Sequence, residues 1–205
     1  MVTVVVTGIN GWRSRAGACV ESVRKYEPEV DIVVVDNGSK PPFSAGDYHL
    51  VRFCKTVCYA RAMNNAMMHV KDWCIQLNDD VVCAGEFVEA VEALDKNTYY
   101  GPQLREKFLA STSFYYMNAW MQVYHRDLYD AIGPYDELYE LAGVEDMDYG
   151  WRVERDGYAM QEIKLPFQHR RKATRIKMPN YKSTMNKNRE RLIEKIHAWN
   201  NSRSG

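Results

Sequence analysis

Along the first half of the chain, short runs of β-branched apolar residues alternate with stretches in which apolar residues recur at helical spacing. Val2 to Thr7 and Asp31 to Val35 are near-continuous apolar runs, the pattern of strands buried on both faces of a parallel sheet. Between them, Ala16, Cys19, Val20 and Val23 fall on one face of a helix predicted over Ala16 to Tyr26, which ends before Pro28. This strand, helix, strand order implies a right-handed crossover. Tyr48 to Phe53 predicts a third strand, Tyr59 to Val70 a helix of small residues and methionines, Trp73 to Leu77 a fourth strand, and Glu86 to Leu94 another helix. Beyond these, Tyr99 to Leu104 and Trp120 to Tyr124 are expected to join the sheet, and Arg126 to Ile132 forms a short helix stopped by Gly133-Pro134. Asp146 to Asp156 reads as a helix closed by Gly157, Ala159 to Pro166 as the last strand, and Asn186 to Asn200 as an amphipathic terminal helix carrying Leu192, Ile193, Ile196 and Trp199. The expected fold class is α/β, a single α/β/α sandwich with a mostly parallel mixed sheet.

The 205 residues suit one domain on the scale of roughly 100 to 200 residues per domain. A hydrophobic fraction of 46% and a charged fraction of 26% exclude a wholly disordered, collagen-like or disulfide-scaffold chain. Met1 to Gly8 is too short and lacks the basic flank for a leader, and a membrane-spanning helix needs roughly 20 apolar residues. Cys19, Cys54, Cys58, Cys74 and Cys83 are odd in number and mostly embedded in apolar runs, which suits reduced thiols in a cytoplasmic protein. Cys54 and Cys58 lack a second cysteine pair nearby, which argues against a zinc site.

The formal net charge is zero, which argues against general coating of nucleic acid. The zero hides segregation. Asp127 to Asp148 holds eight acids and no Lys or Arg, whereas His169 to Arg191 holds nine Lys and Arg against the single acid Glu190. Either block serves as a solvated surface or as a site.

In open α/β sheets ligands bind outside the carboxyl ends of the strands. Here those ends are polar: Thr7-Gly8-Ile9-Asn10-Gly11, Asp36-Asn37-Gly38-Ser39, and Asn78-Asp79-Asp80. The first lacks the third glycine of a dinucleotide fingerprint, and no phosphate-binding GxxxxGK[ST] motif is present. Asp36 is placed to accept hydrogen bonds from a ribose or base edge, or to organise a plain turn through Asx geometry. Asp79 and Asp80 would repel unless a cation or hydrogen-bond donors neutralise them, and a divalent ion shared with substrate phosphates does so; an acidic helix cap is the alternative.

Val33-Val34-Val35-Asp36-Asn37-Gly38-Ser39, Gln76-Leu77-Asn78-Asp79-Asp80-Val81-Val82, Gly133-Pro134-Tyr135-Asp136-Glu137 and Glu145-Asp146-Met147-Asp148-Tyr149-Gly150-Trp151-Arg152, followed by Asp156-Gly157-Tyr158, occur in that order. The set resembles the family 2 glycosyltransferases of the GT-A fold, especially their rhamnosyltransferase-like branch, over roughly residues 3 to 170. The resemblance implies a GT-A catalytic domain over 1–168, with a donor half to about residue 100 and an acceptor half beyond it. A basic extension with a terminal helix follows over 169–205.

The same resemblance puts Thr7 and Asp36 at the nucleoside of a nucleotide-sugar donor, with Asn10, Arg61 and Asn64 also on the donor side. Asn78-Asp79-Asp80 corresponds to the metal-binding Asp-x-Asp motif, with Asn78 standing where many members have Asp and Asp80 as principal ligand. His169 matches a position that often adds a metal or diphosphate contact. The implied cofactor is a divalent metal, Mn2+ or Mg2+. Asp146 corresponds to the catalytic base and Glu145 to its acidic neighbour, acting in an inverting transfer to a hydroxyl acceptor of glycan, lipid-linked, protein or nucleic-acid type. A positioned carboxylate base contributes about 10² to 10⁴-fold. Crowding by Glu145 and Asp148 is expected to raise the pKa of that base, while Asp136 and Glu137 shape the acceptor loop.

Phe114, Tyr115, Tyr116, Trp120, Tyr124, Tyr135 and Tyr139 divide between sugar stacking and core packing. The basic stretch from Arg170 to Arg191 closes over the donor diphosphate, holds an anionic acceptor, or forms a solvated arm. The minimal length suggests a stripped catalytic domain such as a virus encodes, in which case the compartment is the host cytoplasm. The rival readings are a sugar nucleotidyltransferase, disfavoured by the poor match of Thr7 to Arg15 to its glycine-rich basic loop, and an inactive sugar- or nucleic-acid-binding module.

Overall fold

Val4, Val5 and Val6 are completely buried because the strand that carries them, β1 (Val2–Gly8), lies between two helical layers. The computed structural model describes residues 1–170 and 180–203, so Arg171, Lys172, Arg175 and Lys177 of the basic stretch lie outside the described residues. The helix α1 (Ala16–Tyr26) and strands β2 (Asp31–Asn37) and β3 (His49–Phe53) complete the first crossover and extend the parallel sheet. They are followed by α2 (Tyr59–Met67), β4 (Trp73–Asn78), β5 (Val81–Cys83), α3 (Val88–Glu92) and β6 (Thr98–Gly101). The second half contains β7 (Leu104–Leu109), β8 (Thr112–Met117), β9 (Met121–His125), α4 (Arg126–Ile132), α5 (Glu145–Arg155), β10 (Ala159–Glu162), β11 (Phe167–His169) and α6 (Tyr181–Arg203).

The main sheet has seven strands in the order β10-β6-β9-β4-β1-β2-β3. Only β9 runs antiparallel to its neighbours, β4 and β6, so the sheet is mostly parallel and mixed, as expected. Alternation along each strand sends its side chains to opposite layers. Val4, Val6, Ile32, Val34, Ile75 and Leu77 pack with Cys19, Val20 and Val23 of α1, while Val5, Val33, Val35 and Cys74 pack with Ala60, Met63 and Met67 of α2 and with Tyr149 and Val153 of α5. This is the α/β/α sandwich. Among the described residues no helix is long and apolar enough to cross a membrane.

Three departures from the sequence pattern matter for the site. The run from Tyr99 to Leu104 breaks at Pro102, which has no N–H for a ladder, and Leu104 begins an antiparallel hairpin with β8 instead. That hairpin turns through Ala110 and Ser111, both at positive φ (50° and 60°), without the glycine or asparagine that would announce it. The expected strand from Ala159 to Pro166 ends at Glu162, and a separate β11 then pairs antiparallel with β5.

The terminal helix is also longer than its amphipathic stretch, and it is built into the fold. Leu192 and Ile196 are completely buried in a third cluster with Phe114, Tyr139, Val144 and Trp151. Arg191 and Lys195 reach Asp136 at 3.0 and 3.2 Å.

Candidate active site

The parallel register of β1 and β4 pairs Thr7 with Asn78, so their carboxyl ends open on the same edge of the sheet. There a cleft of about 690 Å³ is lined by Thr7, Asn78, Asp79, Asp80, Glu145, Asp146 and His169, together with Arg15, Tyr59 and Trp120. Thr7 donates from Oγ1 to the Met63 sulfur at 3.3 Å, tying the strand end to α2. Asp79 folds back against β1: a Cβ added at Gly8 would stand 2.8 Å from its Oδ2. Burial pushes the Asp79 carboxyl up to about 7, against the opposing effect of Arg15 and with a further push from the Asp80 charge. The Arg15 guanidinium lies 3.5 Å from Asp79 Oδ2.

Asp80 faces His169, with His169 Nε2 at 3.1 Å from Asp80 Oδ1. The ribbon of β5 and β11 makes this approach possible, pairing His169 with Val81, and the Arg170 N–H donates to the Asp80 carbonyl at 2.8 Å. The imidazole stacks on Trp120, ring centroids 5.3 Å apart and planes within 5°. Among the described residues no group of three His, Cys, Asp or Glu side chains is poised around one point. Asp80 and His169 instead offer one carboxylate oxygen and one imidazole nitrogen. The carboxylate suits Mn2+ or Mg2+ when substrate phosphates and water complete the shell, and of the two Mn2+ is the better match to the imidazole.

The opposite wall begins at the first turn of α5. Leu141, Gly143 and Val144 all have positive φ (55°, 101° and 84°), and Val144 at the N-cap is a fully buried β-branched residue in left-handed conformation. Such a residue costs on the order of 1 to 3 kcal/mol and persists only where its surroundings over-determine it. Here the third cluster surrounds Val144, the Tyr59 N–H donates to the Leu141 carbonyl at 2.6 Å, and α6 grips the loop through Asn188. The turn delivers Glu145, 6% exposed, and Asp146, half-buried, to the cleft. Asp146 Oδ1 accepts from the Met147 N–H at 3.0 Å.

Asp148 does not join them. It is 1% exposed and faces away from the cleft, bonded to Arg152 Nε at 3.0 Å, Tyr139 OH at 3.1 Å and the Lys195 ammonium. Its charge is therefore compensated by two cations, Arg152 and Lys195, and not directed at Asp146. The Tyr59 hydroxyl, which accepts from Gln76 Nε2 at 2.9 Å, is pushed well above its ordinary pKa by burial and then by the Glu145 charge.

Four residues expected at the donor do not line the cleft. Both carboxylate oxygens of Asp36 accept backbone N–H groups, from Ser39 and Phe43 at 2.9 Å each, so Asp36 shapes the loop after β2. Its neighbour Asn37 is the residue at the cleft, clamped to both backbone groups of Val57. Asn10 bridges to that same loop, its N–H donating to Ser39 Oγ and its Oδ1 accepting from the Lys40 N–H, both at 2.7 Å. Arg61 and Asn64 lie on the face of α2 turned toward the 133–137 loop. Arg61 Nε meets Glu137 Oε2 at 2.7 Å, and Asn64 Nδ2 donates to the Tyr135 carbonyl and to Glu137. Glu137 is held below the usual carboxylate range by Asn64 and then Arg61.

The aromatic residues divide as the pattern allowed: Phe114, Tyr124, Tyr135 and Tyr139 are buried, while Tyr116 and Trp120 line the cleft. Sequence reasoning missed Arg105 on β7 and the α6 residues Tyr181 and Met185, which also line it; Arg189, within the basic stretch read as a donor or acceptor contact, lines it beside them. The signal for Tyr181 and Met185 was their spacing of four, with Arg189 four further on, one face of a helix.

The sequence model of Glycosyl transferase family 2 matches residues 3–143. No curated protein matches the chain. Among solved structures, GalNAc-T7 with UDP, GalNAc and Mn2+ aligns with a TM-score of 0.73 and 14% identity, over 94% of this chain and 48% of that one. The mannosyltransferase PcManGT from Pyrobaculum calidifontis, in complex with GDP-Man and Mn2+, aligns at 0.60 and 14% identity, over 79% and 54%. Residues 1–349 of S. aureus TarS in complex with UDP align at 0.59 and 14% identity, over 81% and 59%. The chain thus spans about half the length of these structures, with which it shares the GT-A fold.

Proposed function

The chain belongs to Glycosyl transferase family 2, and from that premise we propose that its cleft moves a sugar from a nucleoside-diphosphate donor to a hydroxyl acceptor with inversion, Asp146 acting as base. The observation that carries this reading is a single cleft in which the Asp80–His169 pair faces Glu145 and Asp146 across the carboxyl end of the sheet.

The acceptor oxygen attacks the anomeric carbon, its proton passes to the Asp146 carboxylate, and the bond from that carbon to the diphosphate breaks, the electron pair leaving with the phosphate oxygen. A base placed for this contributes about 10² to 10⁴-fold. Asp80 and His169 would hold Mn2+ or Mg2+, which when bound neutralises charge on the departing phosphates as a Lewis acid. Thr7, Asn78 and Asp79 line the donor end, and Arg15 compensates the Asp79 charge there. Asp36 and Asn10 act on the donor through the shape of the loop they brace.

A donor panel tests the reading. With Mn2+ and UDP-GalNAc, UDP-GlcNAc, GDP-mannose and dTDP-rhamnose, free nucleoside diphosphate should appear from one donor and disappear with chelator. Pyrophosphate formed from a sugar phosphate and a nucleoside triphosphate would replace this reading with nucleotidyl transfer, and donor binding without turnover would make the protein a binding module.

A further inference from the structure

The end of the cleft nearest Asp146 is walled by two elements that carry a pair of arginines with no carboxylate partner among the described residues. From α6, Tyr181, Met185 and Arg189 stand four residues apart on one face and reach the cleft, while Leu192 and Ile196 turn into the core. From the hairpin, Arg105 and Tyr116 reach it too, and these two are cross-strand partners.

The hairpin and the helix run alongside each other. Asn200 Nδ2 donates to Thr112 Oγ1 at 3.2 Å beside the hairpin turn, and Phe114 packs with Leu192 and Ile196. Tyr116 stands against Gly150 of α5, while Met185 and Tyr181 stand against Gly143 just before that helix. The hairpin and α6 therefore reach the cleft on one rim, beside the first turn of α5.

The chemistry of that rim is distinctive. The cleft carries four carboxylates, Asp79, Asp80, Glu145 and Asp146. Yet among the described residues neither Arg105 nor Arg189 has a carboxylate within 4.0 Å, and the hydrogen bond of Arg105 goes to the neutral Gln103 side chain at 3.1 Å. Both arginines are exposed, so the fold does not need them for packing. Guanidinium groups match planar or tetrahedral oxyanions bidentately, which an ammonium does not. The donor end, at Thr7 and Asn78 to Asp80, lies on strand ends, whereas these arginines come from the elements that flank α5, where the attacking hydroxyl must sit.

We propose that Arg105 and Arg189 form an anion subsite for the acceptor, so that the sugar which receives the transferred group carries a phosphate or a carboxylate. Tyr116 and Tyr181 supply flat faces for its ring. The proposal rests on the glycosyl-transfer reading for the role of this anion, but the anion site itself is measurable without turnover.

The test is calorimetric titration of the full chain with glucose 6-phosphate, glucuronate and glucose, each with and without UDP and Mn2+. Glucose 6-phosphate or glucuronate should bind at least about 10-fold more tightly than glucose, the effect of one charge-assisted contact. The order of the two anions identifies phosphate or carboxylate as the preferred group. The double variant Arg105→Gln/Arg189→Gln should lose that preference, with UDP affinity held within about twofold and the melting temperature unchanged. Equal binding of charged and neutral sugars by the wild-type chain overturns the proposal. A parallel loss of UDP affinity in the double variant overturns it as well, reassigning the arginines to the donor diphosphate. If UDP itself fails to bind, the donor reading falls while the sugar titrations still decide the anion subsite.

Discussion

Asn188, in the middle of the C-terminal helix, donates its amide N–H to the Gly143 carbonyl at 3.0 Å, two residues before Glu145. The same side chain exchanges hydrogen bonds with both backbone groups of Glu140, each at 2.9 Å, and is 2% exposed. One buried amide thus satisfies three polar groups of the loop that turns through Leu141, Gly143 and Val144 into the acidic pair.

Asn188→Ala should therefore cost about 2 to 3 kcal/mol, because it strands buried backbone groups as well as removing bonds. Denaturant titration at constant slope measures this. Leu192→Ala, which weakens the same helix by packing alone, should cost a similar 2 to 5 kcal/mol or thereabouts. If the loop geometry matters to the chemistry, Asn188→Ala lowers kcat well beyond Leu192→Ala, with donor KM nearly unchanged. Equal kcat in the two variants would reduce Asn188 to a fold residue.

Asp146→Asn is expected to lower transfer by about 10² to 10⁴-fold while nucleoside diphosphate binding stays near normal. Single-turnover assays beside UDP titrations separate the two effects. Retained turnover would remove Asp146 from the base role.

Asp80→Ala and His169→Ala should each raise the Mn2+ concentration needed for half-maximal transfer, and the double variant should be no worse than the more damaged single one if both serve one ion. Chelator should silence the wild type, with activity restored on adding Mn2+. Unchanged metal dependence in both single variants would place the ion elsewhere.

Acid should loosen the clasp between α6 and the 133–137 loop. Burial alone would raise the Asp136 carboxyl, but the Leu138 N–H, Lys195 and Arg191 together outweigh it and hold the group below its ordinary range. A carboxylate depressed in the folded state binds fewer protons than in the unfolded chain, so its stabilisation is full above its ordinary pKa of about 3.9 and fades as pH falls through the lower folded value. Unfolding free energies from neutral pH to the acid limb should fall less steeply for Asp136→Asn than for wild type. Identical pH slopes would dismiss this contact as a source of the acid sensitivity.

Gly38→Ala should disturb the donor end of the cleft. Gly38 sits at φ +79°, and an added Cβ would collide with the Thr56 backbone nitrogen, where no flexible side chain can yield. A loss of about 2 kcal/mol or more is expected, with weaker UDP binding because Asn37 and Thr56 line the cleft beside it. Thermal unfolding and UDP titration read both effects.

The central parallel strands, and the polar residues that end them, follow from local pattern alone. A run such as Val2 to Thr7 carries its own strand signal, and a parallel sheet delivers Thr7 and Asn78 to one edge whatever surrounds them. Asp79, Asp80, Glu145 and Asp146 were legible for the same reason, since each belongs to a short motif abutting a periodic element. Which polar groups were already occupied depended on packing between distant segments. Asp36 and Asp146 look alike as acids beside regular elements, yet both oxygens of Asp36 are taken by backbone N–H groups of its own loop. Asp148, two residues after Asp146, is drawn away by Arg152 and by Lys195 of α6. Arg61 and Asn64 likewise spend their hydrogen bonds on the 133–137 loop. Local periodicity records which face of a helix or strand is apolar, whereas a buried polar group takes its partner from wherever packing brings one within about 3 Å. That is why the cleft's floor could be read along the chain, while the meeting of Arg105 with Arg189 at one cleft and the amide that holds its strained loop emerged only when the hairpin and α6 were folded against it.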